Sequence, residues 1–177
     1  HDHCVCGNEN INVKFIGVWD TVGSLGIPLR GLRSLTRKKY QFHDTELSSV
    51  VQHAYHALAI DERRAPFEPT LWHYEPKPGQ TVEQVWFCGA HSDVGGGYPT
   101  TGLSDLALEW MIDKAQGTGL EFDHTATNSY PLSPNALGEL HNSKSGLYRV
   151  TIGIDRPIGR SSDNTKPDPT QSLDPSV

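Results

Sequence analysis

Apolar positions gather into short runs separated by long polar stretches. Val13 to Trp19 (VKFIGVW) is a β-rich run that stops at Asp20-Thr21-Val22-Gly23. This predicts a buried strand followed by a tight turn. Leu47, Val50, Val51, Ala54, Ala57 and Leu58 recur at helical spacing. With Asp44 as N-cap and Pro66 as a stop, they predict a helix from about Thr45 to Arg64. Gln84 to Ala90 (QVWFCGA) predicts a second buried strand, and a glycine loop, His91 to Tyr98 (HSDVGGGY), follows it. A further helix is predicted with Ser104 as its N-cap and Asp105 in its first turn. Its apolar face is Leu106, Ala107, Trp110, Met111 and Ala115, and Gly117 and Gly119 end it. Leu147 to Ile154 is read as a third strand.

Strand, helix, strand, helix, with each strand a continuous apolar run, is the pattern of a parallel sheet covered by helices. The chain divides into a polar lead-in (residues 1–12), a folded α/β part (13–154) and a polar, Pro-rich tail (155–177). The tail offers little to bury and is expected to be extended or disordered. Two or three strands make a poor sheet alone, so further strands are expected upstream in a longer protein. His1 in place of Met fits that expectation.

Composition narrows the function. Lys plus Arg is 15 and Asp plus Glu is 21, so the formal net charge is 15 − 21 = −6. An acidic chain argues against a general nucleic-acid binder. Arg30, Arg33, Arg37, Lys38 and Lys39 lie close together and read as a solvated loop. No apolar run approaches the ~20 residues of a membrane span. Three Cys and no Asn-x-Ser/Thr sequon point toward a reducing, intracellular setting.

Chemistry is expected at the carboxyl ends of the strands, where open α/β sheets bind ligands. Asp20 follows the first strand and His91 the second. Parallel strands bring both ends to one rim. An acid and a histidine there suit the orienting carboxylate and general base of a nucleophilic hydrolase. In the α/β-hydrolase arrangement the order is Ser, then Asp or Glu, then His, so the serine is expected ahead of residue 20. The nucleophile motif Gly-x-Ser-x-Gly has no full match. Gly102-Leu103-Ser104 and Gly159-Arg160-Ser161 supply only its first half, and the capping role explains Ser104.

GVWDTVGSLG (Gly17 to Gly26), HALAIDERR (His56 to Arg64), WFCGAHSDVGGGY and GLSDLALEWM (within Trp86 to Met111) resemble one family. It is the α/β-hydrolase family of the type VI secretion phospholipase effectors, and the resemblance covers roughly residues 13–123. It implies a partial α/β-hydrolase-like parallel sheet with flanking helices and a serine hydrolase acting on a lipid or another ester. By motif match it assigns the triad acid to Asp20 and the triad base to His91. The family's nucleophile elbow precedes the WDTVG segment and matches nothing here, so the nucleophile is expected outside this chain and the chain alone is expected to be inactive. The resemblance implies no cofactor and no metal. It also implies transient contact with a membrane surface, and either a cytoplasmic or a secreted-effector location.

Rival readings remain. Asp93, two residues from His91, is an alternative triad acid, a metal ligand with His91 in a metal-dependent hydrolase, or a loop residue bonding backbone amides. Asp20 could equally cap its turn. A catalytically inactive binding domain would use the same rim. Gly95, Gly96 and Gly97 are read as allowing close backbone approach beside His91 rather than as a phosphate nest. His53 and His56 are read as partly exposed helix residues. Asp61, Glu62, Arg63 and Arg64 are read as the charged end of that helix, with Arg63 and Arg64 suiting its dipole and salt-bridging to the rim. His1, His3, Cys4 and Cys6 match no standard zinc spacing. Cys88 reads as a small buried strand residue, and Trp19, Trp86 and Trp110 as core.

Overall fold

A computed structural model describes residues 12–22, 47–72, 77–123, 131–144, 149, 153–160 and 166–177. Four strands make one sheet in the order β1-β2-β3-β4: β1 (Val13–Trp19), β2 (Val51–Ala59), β3 (Thr81–Phe87) and β4 (Gln171–Leu173). All three pairings are parallel. The two α-helices among the described residues are α1 (His91–Gly95) and α2 (Gly102–Gly117), and a 3-10 turn covers Ala65–Phe67. The partial α/β architecture expected from the apolar runs is therefore present.

The segment read as a helix from Thr45 to Arg64 is instead the central strand β2. Val51↔Val13 and Trp19↔Ala57 pair it with β1, and His53↔Thr81 through Ala59↔Phe87 pair it with β3. A central parallel strand is buried on both faces, so its apolar positions show no period of two. Ala54 through Ala59 are all buried. On one face, Tyr55, Ala57 and Ala59 join Val85, Phe87, Val94, Ala107 and Met111. On the other, Ala54 joins Leu47, Val51 and Val82, while Leu58 joins Leu71 and Trp86. Small residues at helical spacing mimicked an amphipathic stripe, and burial on both sides decided the outcome. Asp44, the proposed cap, lies outside the described residues.

Helix α2 covers the first of these faces. Leu103, Ala107, Met111 and Ala115 are its buried stripe. It sits close to β1 because Gly17 has no side chain: a Cβ there would lie 2.6 Å from Met111 Sδ and 2.8 Å from Phe15 Cε1. The helix begins earlier than expected. Its cap position is Thr101, whose Oγ1 donates to Asp105 Oδ2 at 3.0 Å, and Ser104 lies inside the first turn with its Oγ donating to Thr101 O. Gly119, at φ +89°, follows its end as expected.

Part of the polar tail is an extended strand paired into the sheet. Its residues 171–173 form β4, paired with β3 through Gln84↔Gln171 and Trp86↔Leu173. Trp86 Nε1 donates to Gln171 Oε1 at 2.8 Å. Polar side chains rather than apolar burial attach this strand, which is why composition hid it. Most of Leu147 to Ile154 lies outside the described residues. Gly153 makes an isolated antiparallel bridge with Arg64. Among the described residues, no helix is long and apolar enough to cross a membrane.

Candidate functional site

Asp20 leaves the carboxyl end of β1, and the turn is held from both sides. Its amide donates to Ala57 O at 2.7 Å, extending the β1–β2 ladder by one bond. Beyond it, Thr21 N and Thr21 Oγ1 lie 3.2 and 3.1 Å from His56 Nε2. A backbone N–H can only donate, so His56 Nε2 is an acceptor and the ring is neutral with its proton on Nδ1. Burial pushes His56 down to about 4, against the pull of the Asp20 charge. Between these anchors Asp20 adopts φ +36°, and it is the one non-glycine residue described with positive φ. Backbone in that region costs on the order of 1–3 kcal/mol and persists where its surroundings over-determine it.

The Asp20 carboxylate is fully buried. Ala59 N donates to Oδ1 at 3.0 Å, and His91 Nδ1 lies 2.8 Å from Oδ2. Arg156 donates from Nη1 to Oδ1 at 3.0 Å and from Nη2 to Oδ2 at 3.3 Å. Burial alone raises the carboxyl pKa. The His91 hydrogen bond, the Arg156 charge and the Ala59 amide outweigh it and hold the group below its usual value. An ionised carboxylate only accepts, so His91 Nδ1 carries the proton, and Nε2 is the nitrogen left to serve a substrate-side group.

His91 opens α1 immediately after β3. The connection turns through Gly89, at φ +120°, where a Cβ would lie 2.4 Å from Asp93 Cβ. Asp61 braces it, accepting from Gly89 N at 2.9 Å and donating its own amide to Gly89 O. The His91 ring is about one-third exposed and meets the Phe67 ring edge-on at 5.1 Å between centroids. The Arg64 guanidinium lies 3.7 Å from the Phe67 ring centroid. Its charge pairs with the buried Glu62 carboxylate at 2.7 Å. Glu62 Oε2 also accepts from His91 N at 3.3 Å. Burial raises the Glu62 pKa, but its bonds to Arg64 bring it below the ordinary value. Arg64 thus makes the salt bridge at the rim expected of it, from the segment after a strand instead of the end of a helix.

Asp93 faces elsewhere. Its Oδ2 accepts from Ala90 N at 2.9 Å and from His141 N at 3.1 Å, and its Oδ1 lies 2.6 Å from His141 Nδ1. The Tyr98 ring stacks on His141 at 3.8 Å. The two carboxylates serve different histidines. Asp93 caps α1 and ties the 131–144 segment to it. Among the described residues, no three His, Cys, Asp or Glu side chains come together to hold a metal ion.

The glycine run is conformational. Gly95 closes α1, and Gly96 and Gly97 sit at φ +83° and +122°. A Cβ on Gly96 would meet nothing within 4 Å, so left-handed backbone rather than close approach requires glycine there. His53 and His56 lie on opposite faces of β2, since three residues apart on a strand is an odd offset. His56 is fully buried, not partly exposed. Cys88 follows β3 rather than lying within it, and burial raises its thiol pKa. His1, His3, Cys4, Cys6, the Arg30 to Lys39 cluster and Ser161 lie outside the described residues. Arg156 is the site residue that sequence reasoning missed.

Two parallel strands, β1 and β3, flank β2 and bring a carboxylate and a histidine to one rim of a partial α/β fold. A family model described as "T6SS, Phospholipase effector Tle1-like, catalytic domain" matches residues 1–114, and the chain belongs to that family. It is also similar to the uncharacterized protein YEL023C of Saccharomyces cerevisiae, 31% identical over 140 residues. That match covers 76% of this chain and 18% of the yeast protein, so the chain spans less than a fifth of this curated relative. No solved structure matches.

Proposed function

We propose that this chain supplies the acid and the base of a Ser-Asp-His triad in a serine ester hydrolase acting on lipid. The nucleophile comes from sequence ahead of Asp20. One observation carries the reading: Asp20 Oδ2 lies 2.8 Å from His91 Nδ1 at the carboxyl-end rim of the sheet. Membership of a phospholipase effector family supports a lipid substrate.

In this mechanism the serine attacks the ester carbonyl and passes its proton to His91 Nε2. Asp20 holds the imidazole and stabilises the imidazolium that forms, without itself taking the proton. Backbone amides receive the oxyanion. His91 then returns the proton to the leaving alkoxide, and water releases the acyl group by the same relay. No cofactor enters. The chain by itself lacks the nucleophile and is inactive, and the full-length protein acts as a secreted effector with transient contact at a membrane surface.

Labelling of the full-length protein with a fluorophosphonate probe tests this reading. Wild type labels at one serine, His91→Ala does not, and Asp20→Asn loses turnover on the order of 10⁴-fold while remaining folded. Undiminished labelling in folded His91→Ala would refute the assignment of the base. An Asp20→Asn protein with wild-type turnover would refute that of the acid.

A further inference from the structure

Arg156 stands in a segment with no apolar pattern, beyond the residues matched by the family model. Its guanidinium is nonetheless one of the most completely engaged groups described. The side chain is 1% exposed. Nε donates to Glu62 O at 3.0 Å, Nη1 to Asp20 Oδ1 at 3.0 Å, and Nη2 to both Phe67 O at 2.8 Å and Asp20 Oδ2 at 3.3 Å. The backbone leading to it is fixed as well, since Ile154 N donates to Arg63 O at 3.0 Å.

An ionised carboxylate offers about four lone-pair sites. Asp20 fills four: Ala59 N and Arg156 Nη1 on Oδ1, His91 Nδ1 and Arg156 Nη2 on Oδ2. Two of the four belong to the planar fork of one guanidinium, a geometry that lysine cannot reproduce. Rotation of the carboxylate breaks at least one of these bonds. Without the fork, a fully buried carboxylate keeps one amide and one imidazole and loses its balancing charge. Either it turns away from His91 or it protonates, and both remove the acceptor that His91 needs.

We propose that Arg156 is a positioning residue of the hydrolytic site, which clamps Asp20 in the one orientation that presents Oδ2 to His91 Nδ1. It also carries the C-terminal segment into the site: fifteen residues after Arg156, β4 begins on the edge of β3 at Gln171. The strand that delivers His91 and the residue that orients Asp20 are thereby held by one stretch of chain. The inference rests on the Ser-Asp-His reading above.

Arg156→Met and Arg156→Lys in the full-length protein test it, beside wild type. At saturating fluorophosphonate, Arg156→Met labels on the order of 10²-fold more slowly, while the half-saturating probe concentration changes less than about threefold. Arg156→Lys recovers only part of the rate, because a point charge replaces the fork. Guanidinium added to Arg156→Ala restores a measurable fraction of labelling. The low-field proton resonance of His91 Nδ1–H, present in wild type, is shifted in Arg156→Met while the backbone amide resonances away from the site keep their wild-type positions. If Arg156→Met does not fold, Arg156→Lys decides: wild-type labelling together with an unchanged His91 resonance overturns the clamp. Folded Arg156→Met labelling within about twofold of wild type also overturns it and leaves the triad standing. Wild-type protein that does not label removes the triad and the clamp together.

Discussion

His56 places a proton-linked cost beneath the site, and its size follows from the structure. The ring is fully buried and accepts from Thr21 N and Thr21 Oγ1 through Nε2. Burial holds it at about 4, against 6.5 for an exposed histidine. The unfolded chain therefore binds more protons than the folded one between these values, so stability falls as pH drops through that window. Each pKa unit is worth about 1.4 kcal/mol. Integrating the two titrations gives a loss of about 2 kcal/mol between pH 7.5 and pH 5. Asp20 and Glu62 do not contaminate this window. Their carboxyls are lowered in the fold, so the stability they contribute is complete above the unfolded carboxylate range and is lost only as pH falls below it. Urea unfolding at pH 7.5, 6.5, 5.5 and 5.0, run on wild type and on His56→Gln, isolates the contribution. The difference in stability between the two proteins shifts by about 2 kcal/mol in favour of the variant as pH falls. The His56 Cε1–H resonance of the folded protein stays at its neutral position throughout. A pH-independent difference, or a ring that titrates near 6.5 in the folded state, refutes the reasoning.

Two further outcomes test the frame around the site. Gly17→Ala puts a methyl 2.6 Å from Met111 Sδ and 2.8 Å from Phe15 Cε1; overpacking of this kind costs about 1–3 kcal/mol, softened by the mobility of the Met111 thioether, and a thermal melt unchanged from wild type counts against the close α2–β1 approach. Glu62→Gln leaves the Arg64 amide and guanidinium facing an amide in place of a carboxylate that accepts at 2.7 to 2.9 Å; the expected loss is about 1–3 kcal/mol in chemical denaturation, and a variant as stable as wild type contradicts the network drawn around the His91 amide.

The strands β1 and β3 were legible because each is a continuous apolar run closed by a turn residue, and the run and its ending are both local signals. Helix α2 was legible for the same reason, its buried stripe recurring over four turns. The strand β2 was not. Ala54, Ala57 and Leu58 satisfy a helical period by coincidence, while His56 and Ala59, which a helix would turn away from that stripe, are buried in a strand packed on both sides. What decides between the two is whether neighbours cover both faces, and most of that cover, α2 on one side and Leu71 and Trp72 on the other, lies outside residues 45–64. Strand β4 is a third case. Gln171 pairs through its side chain with Trp86 and Gly159, so hydropathy contains no trace of it.

The site divides along the same line. Asp20 and His91 stand at the ends of readable strands, so strand order and parallel pairing bring them to one rim before any side chain is placed. Asp93 sits as close to His91 in sequence, yet it caps α1 and bonds His141, because an offset of two within a helical turn points a side chain away from its neighbour. Arg156 has no local signal at all. It reaches Asp20 across 136 residues from a stretch whose composition predicts an extended or disordered tail. A buried carboxylate that must remain charged, however, implies donors beyond the one histidine it serves. Asp20 is preceded by the apolar Phe15 to Trp19, and the cation nearest before it in sequence, Lys14, is six residues away. The demand for a distant cation was therefore present in the chain, while the identity of that cation was set only by the packing of β4 against β3 and of residues 153–156 against 62–64. For this reason the Arg156 variants, more than changes at Asp20 or His91, distinguish a site assembled by the whole chain from a pair of residues that any parallel sheet would bring together.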